Sequence, residues 1–302
     1  MKNILLSLLI FSGLFVSGCQ VVQPPASQKL TVLAIEPFLA DITANVAGDR
    51  VEVQSLIPSG VDPHSFELTP QDVAKLEKAD VLVLNGGGLE QFLEPVLSQK
   101  TATQLVIVAS KGLTSRPVNS SDALAENGDP HYWLNPVNVK QYVENIRVGL
   151  TFIDPNGAVA YAENARKYNQ KLDELDSWIA QEVRQVPPER RLLVTNHESF
   201  GYYADQYGFT VVGAVLSSVS SGSSPSAREM SALIEQIKQA GAPAIFLEMD
   251  ANPELADQIA AESNAKVITN LYTHSLSPAD GPAATYLDMM RYNTTLIVEA
   301  LR

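Results

Sequence analysis

Residues 158–186, AVAYAENARKYNQKLDELDSWIAQEVRQV, are the stretch that decides the fold. The run contains neither proline nor glycine, and apolar residues such as Tyr161, Leu172 and Ile179 recur at three- and four-residue spacings, which is typical of an amphipathic helix. Pro187 and Pro188 end the pattern. At a rise of 1.5 Å per residue, such a helix would be more than about 40 Å long, roughly the height of a small domain.

Strand and helix signals alternate on both sides of this helix. Leu30–Ile35 and Val81–Leu84 are strand-like before it, and Leu192–Thr195 and Ala244–Met249 are strand-like after it. Such alternation indicates βα units and a mostly parallel sheet. We therefore predict an α/β fold with two similar lobes joined by one long rigid helix. The predicted bounds are 29–155 for the N-terminal lobe, 156–188 for the linking helix and 189–302 for the C-terminal lobe.

The chain has only four histidines, and each lies in a short polar turn after an apolar, β-prone run: His64, His131, His197 and His274. A single histidine is more often a surface residue or a hydrogen-bonded core residue than a metal ligand. In open α/β sheets, however, ligands bind beyond the carboxyl ends of the strands, where all four are expected. Four neutral imidazoles can complete the coordination of a metal such as zinc. The sequence predicts that the four rings meet between the lobes.

The start of the chain predicts export. Lys2 precedes an almost wholly apolar stretch, and residues 1–18 are typical of a secretory signal peptide. Small residues before Cys19 resemble a bacterial lipobox, in which Cys19 would be lipidated; an ordinary signal peptide is the alternative. Residues 19–28 would then be a tether. Because Cys19 is the only cysteine, a metal in the folded domain would be held by nitrogen and oxygen.

Charge and motifs argue against several other functions. A formal net charge of −13 argues against binding nucleic acid or anionic lipid surfaces. The run Gly86-Gly87-Gly88 lacks the pattern of a nucleotide-binding loop and is interpreted as a tight turn. The serine-rich run 217–226 is interpreted as a loop within the second lobe.

A zinc-dependent hydrolase is the main competing function, since Glu198 beside His197 could act as a general base. No His-Glu-x-x-His motif is present, and four imidazoles would fill the position that a catalytic zinc keeps open for water. The sequence therefore predicts a binding protein and not an enzyme. Glu198 is interpreted as an acceptor for an imidazole N–H or as a helix N-terminal carboxylate.

Several short motifs together resemble a known family, the zinc- and manganese-specific solute-binding lipoproteins of bacterial ABC transporters. The motifs are Asp62-Pro63-His64-Ser65-Phe66-Glu67, Asn85-Gly86 through Leu89-Glu90, Asp129-Pro130-His131-Tyr132-Trp133-Leu134, Asn196-His197-Glu198-Ser199-Phe200-Gly201-Tyr202, and Tyr286 to Tyr292. The resemblance implies that two lobes clamp a divalent metal ion across a rigid helix. The implied ligands are His64, His131, His197 and His274.

The resemblance also implies where the protein works and with what. It would be anchored to the cell membrane through lipid at Cys19, facing the outside or the periplasm, and would deliver its ion to an ABC permease as a monomer. Some lipidated members of this family are described as surface adhesins, which is a third hypothesis.

The sequence departs from the family pattern at two places. The fourth ligand position usually carries Asp or Glu, whereas this chain has His274, and nearby Asp280 is the alternative fourth ligand. Zinc-type members often have a histidine-rich loop before the second histidine, but residues 120–129 contain acidic residues and no histidine. Imidazole ligands favour Zn²⁺, and Mn²⁺ is the alternative, since manganese prefers more carboxylate oxygen.

Overall fold

The computed structural model describes residues 29–98, 104–118, 128–216, 225–249 and 251–302. The predicted signal peptide, Cys19, the tether, most of the acidic loop 120–129 and most of the serine-rich run lie outside the described residues. Within those ranges, no helix is long and apolar enough to cross a membrane.

Two four-stranded parallel sheets form the lobes, so the predicted fold class is confirmed. The strands are β1 (Thr31–Ala34), β2 (Glu52–Ser55), β3 (Val81–Leu84), β4 (Leu105–Val108), β5 (Leu192–Thr195), β6 (Thr210–Ala214), β7 (Ala244–Glu248) and β8 (Lys266–Leu271). The first sheet has the order β2-β1-β3-β4 and the second β6-β5-β7-β8, so the two lobes share one topology. The precise lobe bounds stay a prediction.

Helices connect the strands and cover the sheets. They are α1 (Pro37–Ala47), α2 (Pro70–Lys78), α3 (Glu94–Leu97), α4 (Pro136–Ile153), α5 (Ala158–Val183), α6 (Gly201–Tyr207), α7 (Ala227–Ala240), α8 (Glu254–Ser263) and α9 (Tyr286–Leu301). Local sequence explains several of their starts. Thr69 caps α2 in a reciprocal capping box with Asp72, and Ser226 caps α7 in the same way with Glu229.

The long helix α5 has 26 residues and is therefore about 39 Å long. It ends at Val183 and not at Val186 as predicted. Pro187 explains the difference, because a proline disfavours helical geometry at the preceding residue and offers no amide hydrogen. The helix packs against α1 and α4 on one side of the molecule and against α6 and α9 on the other, so it joins the two lobes.

A single apolar core runs through both lobes along α5. It includes Val32 of β1, Leu193 of β5 and the α5 residues Tyr168 and Leu175, all at most 2% exposed. Two smaller clusters lie on the outer faces of the sheets, one in each lobe. Because the central core is continuous, the two lobes and the long helix pack as one body, which fixes the cleft between the sheets.

Candidate metal centre

The N-terminal lobe presents its histidines on turns that lie well beyond its strands. His64 lies nine residues after β2, in a 3-10 turn over Pro63–Ser65, where the Asp62 carboxylate accepts a hydrogen bond from the His64 backbone N–H at 2.9 Å. His131 lies 23 residues after β4, and Asp129 accepts from its backbone N–H at 2.9 Å. Carboxylates two residues upstream therefore shape both turns.

The C-terminal lobe presents its histidines directly at the ends of strands. His197 is the second residue after β5, and His274 is the third residue after β8. The Thr195 hydroxyl donates to the His197 carbonyl oxygen at 2.7 Å and fixes this short connection. These two ligand candidates are positioned by the sheet itself.

The four rings converge on one point. The Nε2 atom of His64 lies 3.3 Å from that of His131 and 3.2 Å from that of His274, and the Nε2 atom of His131 lies 3.1 Å from those of His274 and His197. One ring nitrogen from each histidine lies within 4.8 Å of the other three. Tetrahedral zinc with Zn–N bonds of about 2.0–2.1 Å requires nitrogens about 3.3 Å apart. The four Nε2–Nε2 distances given above are therefore close to the nitrogen–nitrogen distance of a tetrahedral zinc site.

Asp280, the alternative fourth ligand, does not belong to this group. Among the described residues, the cluster that could hold a metal consists of the four histidines. Asp280 is exposed, on the loop that follows His274. The structure therefore brings together the four sequence-predicted residues, and their assignment as metal ligands stays a prediction.

Burial keeps most of these imidazoles uncharged. His131 and His197 are fully buried and His274 is 3% exposed, whereas His64 is partly exposed. Removal from water, followed by the proximity of the other rings, lowers the pKa of His64, His131 and His274 well below the ordinary histidine value. A neutral imidazole has a free lone pair, which is the form that binds a metal.

Buried carboxylates lie behind the rings, on the side away from the convergence point. Asp129 Oδ1 lies 2.8 Å from His131 Nδ1, and Glu248 Oε1 lies 2.9 Å from His197 Nδ1. The second contact is a close ionic one, because no N–H is directed at Glu248 Oε1. Burial is the largest single influence and lowers the pKa of His197, but the interactions with Glu248 and the charges of Asp62 and Asp129 together outweigh it, so the pKa is raised. Burial raises the pKa of Asp129 to about 7.

Sequence reasoning missed Glu248 and considered Glu198 instead. The carboxylate in contact with the His197 ring belongs to Glu248, the last residue of β7, whereas Glu198 is half-buried beside a neighbouring cavity. The signal was present: the apolar strand AIFLE ends in an acid at the carboxyl edge of the sheet.

Hydrogen bonds between the lobes surround the cluster. Trp133 Nε1 donates to the Thr273 carbonyl at 2.8 Å. The Tyr202 hydroxyl donates to the Asp129 carbonyl at 2.9 Å and accepts from the Arg116 backbone N–H at 2.8 Å. These contacts tie the histidine-bearing loops of one lobe to those of the other.

The glycine run after β3 is a tight turn, as predicted. Gly86, Gly87 and Gly88 all have positive φ, and a Cβ atom on Gly86 would lie 2.5 Å from Val108 Cγ1. The backbone N–H groups of Asn85 and Gly86 donate to the Glu90 carboxylate. An internal carboxylate therefore occupies the position that a phosphate would take in a nucleotide-binding loop.

Comparisons with known proteins give matches over almost the whole chain. The family described as zinc-uptake complex component A, periplasmic (ZnuA), matches residues 32–300. The manganese-binding lipoprotein MntA of Halalkalibacterium halodurans is 32% identical over 305 aligned positions, covering 100% of this chain and 99% of MntA.

Solved structures of metal-binding proteins also superpose on most of this chain. The manganese-bound periplasmic metal-binding protein of Candidatus Liberibacter asiaticus superposes with a TM-score of 0.81 at 33% identity, covering 91% of this chain and 100% of that one. The periplasmic zinc-binding protein TroA of Treponema pallidum superposes with a TM-score of 0.80 at 30% identity, covering 91% and 99%. These relatives are binding proteins, so the prediction that the chain is not an enzyme is confirmed. The chain belongs to the ZnuA family of metal-uptake receptors.

Proposed function

We propose that this protein is an extracytoplasmic receptor that binds one divalent transition-metal ion through His64, His131, His197 and His274 and delivers it to an ABC permease. The observation that carries the proposal is the convergence of four imidazole nitrogens at separations that suit a single ion. The lipoprotein relatives and the sequence around Cys19 support a lipid anchor on the outer side of the cell membrane. We propose that the receptor acts as a monomer.

Zinc is the metal that the donor set favours. The cluster offers four nitrogens and no carboxylate oxygen, and imidazole suits zinc better than it suits manganese. The names of the relatives support manganese as the alternative, because MntA is called manganese-binding and one structural neighbour is manganese-bound. The fourth ligand position bears on this choice, since His274 supplies nitrogen where oxygen would suit manganese.

A crevice between the lobes lies next to residues that flank His64 and His197. It has a volume of about 510 Å³, and it is lined by Asp62 and Ser65 from one lobe and by Asn196 and Glu248 from the other. Its acidic residues would attract a cation from solution.

Elemental analysis and competitive titration test the proposal. Protein purified without added metal should contain one zinc per chain, and the metal-free protein should bind Zn²⁺ more tightly than Mn²⁺. Saturation should raise the free energy of unfolding by about 2.7 kcal/mol when free metal is 100 times Kd. Tighter binding of Mn²⁺ would overturn the choice of zinc, and failure to bind any divalent transition metal would overturn the receptor function.

A further inference from the structure

One carboxylate lies behind both histidines of the C-terminal lobe. Glu248 is 4% exposed; its Oε1 lies 2.9 Å from His197 Nδ1 and its Oε2 lies 3.8 Å from His274 Nδ1. The N-terminal lobe is built differently, because Asp129 contacts the ring of His131 alone. Glu248 therefore lies against two of the four rings at once.

An irregularity in the sheet brings Glu248 to this position. From Ala244 to Phe246, β7 pairs in constant register with β8, but Glu248 then pairs with Leu271, so β8 contains one extra residue. That bulge includes Asn270, which has a φ of 73°. A bulge changes the direction of side chains at a strand end and is a structural feature in its own right. Here it sets Glu248 on β7 against the residues that follow β8.

The chemistry of the contacts explains what the carboxylate does. An imidazole that binds a metal through Nε2 carries its proton on Nδ1, and that N–H needs an acceptor. Glu248 Oε1 is buried, makes no hydrogen bond with a described donor and lies 2.9 Å from His197 Nδ1, so a rotation of the His197 ring would direct the Nδ1–H at it. His274 Nδ1 also lies 3.0 Å from the Thr273 hydroxyl, which makes Glu248 one of two groups that orient this ring.

We infer that Glu248 is a positioning residue that orients His197 and His274 together and thereby sets the preference of the site for a four-coordinate metal such as zinc. The inference rests on the proposed function and deepens it. Loss of Glu248 would remove the contact behind His197 and one of the two groups that orient His274. The site would then hold its tetrahedral arrangement less firmly and discriminate less against metals that prefer more ligands.

Glu248→Gln tests the inference, with Glu198→Gln as the matched control because Glu198 adjoins His197 in the chain and is half-buried. Zn²⁺ and Mn²⁺ affinities are measured by competition, and the geometry is read from the visible absorption of the Co²⁺-loaded proteins. Glu248→Gln should weaken Zn²⁺ binding about 10–100-fold, in the range seen for groups that orient metal ligands, and lower the zinc-to-manganese affinity ratio. Its Co²⁺ spectrum should lose the intense bands of a four-coordinate site.

Glu248→Asp keeps the charge but is too short to reach both rings, so it should retain part of the affinity and part of the spectrum. If the glutamine variant does not fold, the affinity and spectrum of Glu248→Asp are compared with those of the parent instead. Glu198→Gln should match the parent. A Glu248 variant with the affinity and the Co²⁺ spectrum of the parent would overturn the inference while leaving the receptor function intact, whereas a parent that binds no metal would overturn the receptor function itself.

Discussion

The two lobes have the same strand order but bring their histidines to the candidate metal centre by different means. In the N-terminal sheet every strand pair keeps an unbroken register, and the histidines lie on turns far beyond the strand ends. In the C-terminal sheet the register shifts in β5–β6 and in β7–β8, and the histidines follow their strands at once. One lobe thus positions its histidines by side-chain-capped turns, and the other by an irregular sheet edge.

This difference separates the two halves of the centre chemically. Asp62 and Asp129 each hold the backbone of their own histidine turn, so the two N-terminal rings are positioned independently. His197 and His274 share Glu248, so the C-terminal rings form a coupled pair. Substituting the carboxylates that support the rings should therefore weaken metal binding more in the C-terminal lobe than in the N-terminal lobe.

The largest effect should come from removing an imidazole from either lobe. His64→Ala and His274→Ala should each weaken zinc binding by more than about 100-fold, because a lost ligand costs more than a lost orienting group. Isothermal titration of the metal-free proteins measures the loss. Asp280→Ala is the control and should bind like the parent; the reverse result for His274 and Asp280 would show that the fourth ligand has been wrongly assigned.

A smaller effect is expected for Asp129→Asn, which alters the support of one ring only. The asparagine oxygen can still accept from the His131 backbone N–H and from Nδ1. The loss in zinc affinity should therefore be about 10-fold, the lower end of the 10–100-fold range seen for groups that orient metal ligands. The same titration compares it with Glu248→Gln. A larger loss for Asp129→Asn than for Glu248→Gln would contradict the distinction between independent and coupled rings.

Tyr202→Phe should weaken the connection between the lobes. The change removes a hydroxyl that joins Arg116 and Asp129 of one lobe to α6 of the other, and an unsatisfied partner costs about 1–3 kcal/mol. The melting temperature of the metal-free protein should fall by roughly 2–4 °C for each kcal/mol. Tyr292→Phe, whose ring packs on Tyr272 within the C-terminal lobe, should have a smaller effect.

The smallest expected effect comes from a second comparison, between the buried acids Glu248 and Glu36. Glu248 lies against imidazoles, whereas Glu36 at the end of β1 is fully buried against Glu90. Burial, and then the charge of Glu90, raise the pKa of Glu36 well above its usual range, and burial raises that of Glu90 to about 7. An acid with a raised pKa in the folded state stabilises the fold at low pH, and this stability is lost as the pH rises through the raised pKa.

Glu36→Gln should therefore make the fold more stable than that of the parent at high pH. Glutamine can donate to Glu90 at any pH, so the variant should melt at least about 2 °C above the parent at pH 8, which corresponds to roughly 1 kcal/mol. At pH 5 the two proteins should melt at similar temperatures. Thermal denaturation of the metal-free proteins measures the difference, with exposed Glu52→Gln as the control. A difference in melting temperature that does not grow with pH would count against the raised pKa of Glu36.

The sequence predicted the two lobes, the long helix and the four convergent histidines, because these depend on local periodicity and on the general position of ligands at strand ends. It did not predict Glu248, because that contact depends on strand order. Only when β5 and β7 become neighbours does the acid at the end of β7 meet His197 after β5. The bulge at Asn270 and the contact of Glu36 with Glu90 also arise between segments that are distant in the chain.

The carboxylates behind the rings bear on the charge of the ion that the proposed site would hold. With an ion bound, each lobe would supply two neutral imidazoles, and each lobe has one buried acid in contact with a ring, Asp129 or Glu248. An ion of charge +2 would bring this water-poor interior to electroneutrality once both acids are ionised. A monovalent ion would leave an excess negative charge and a trivalent ion an excess positive one, and both are costly in a medium of low polarity.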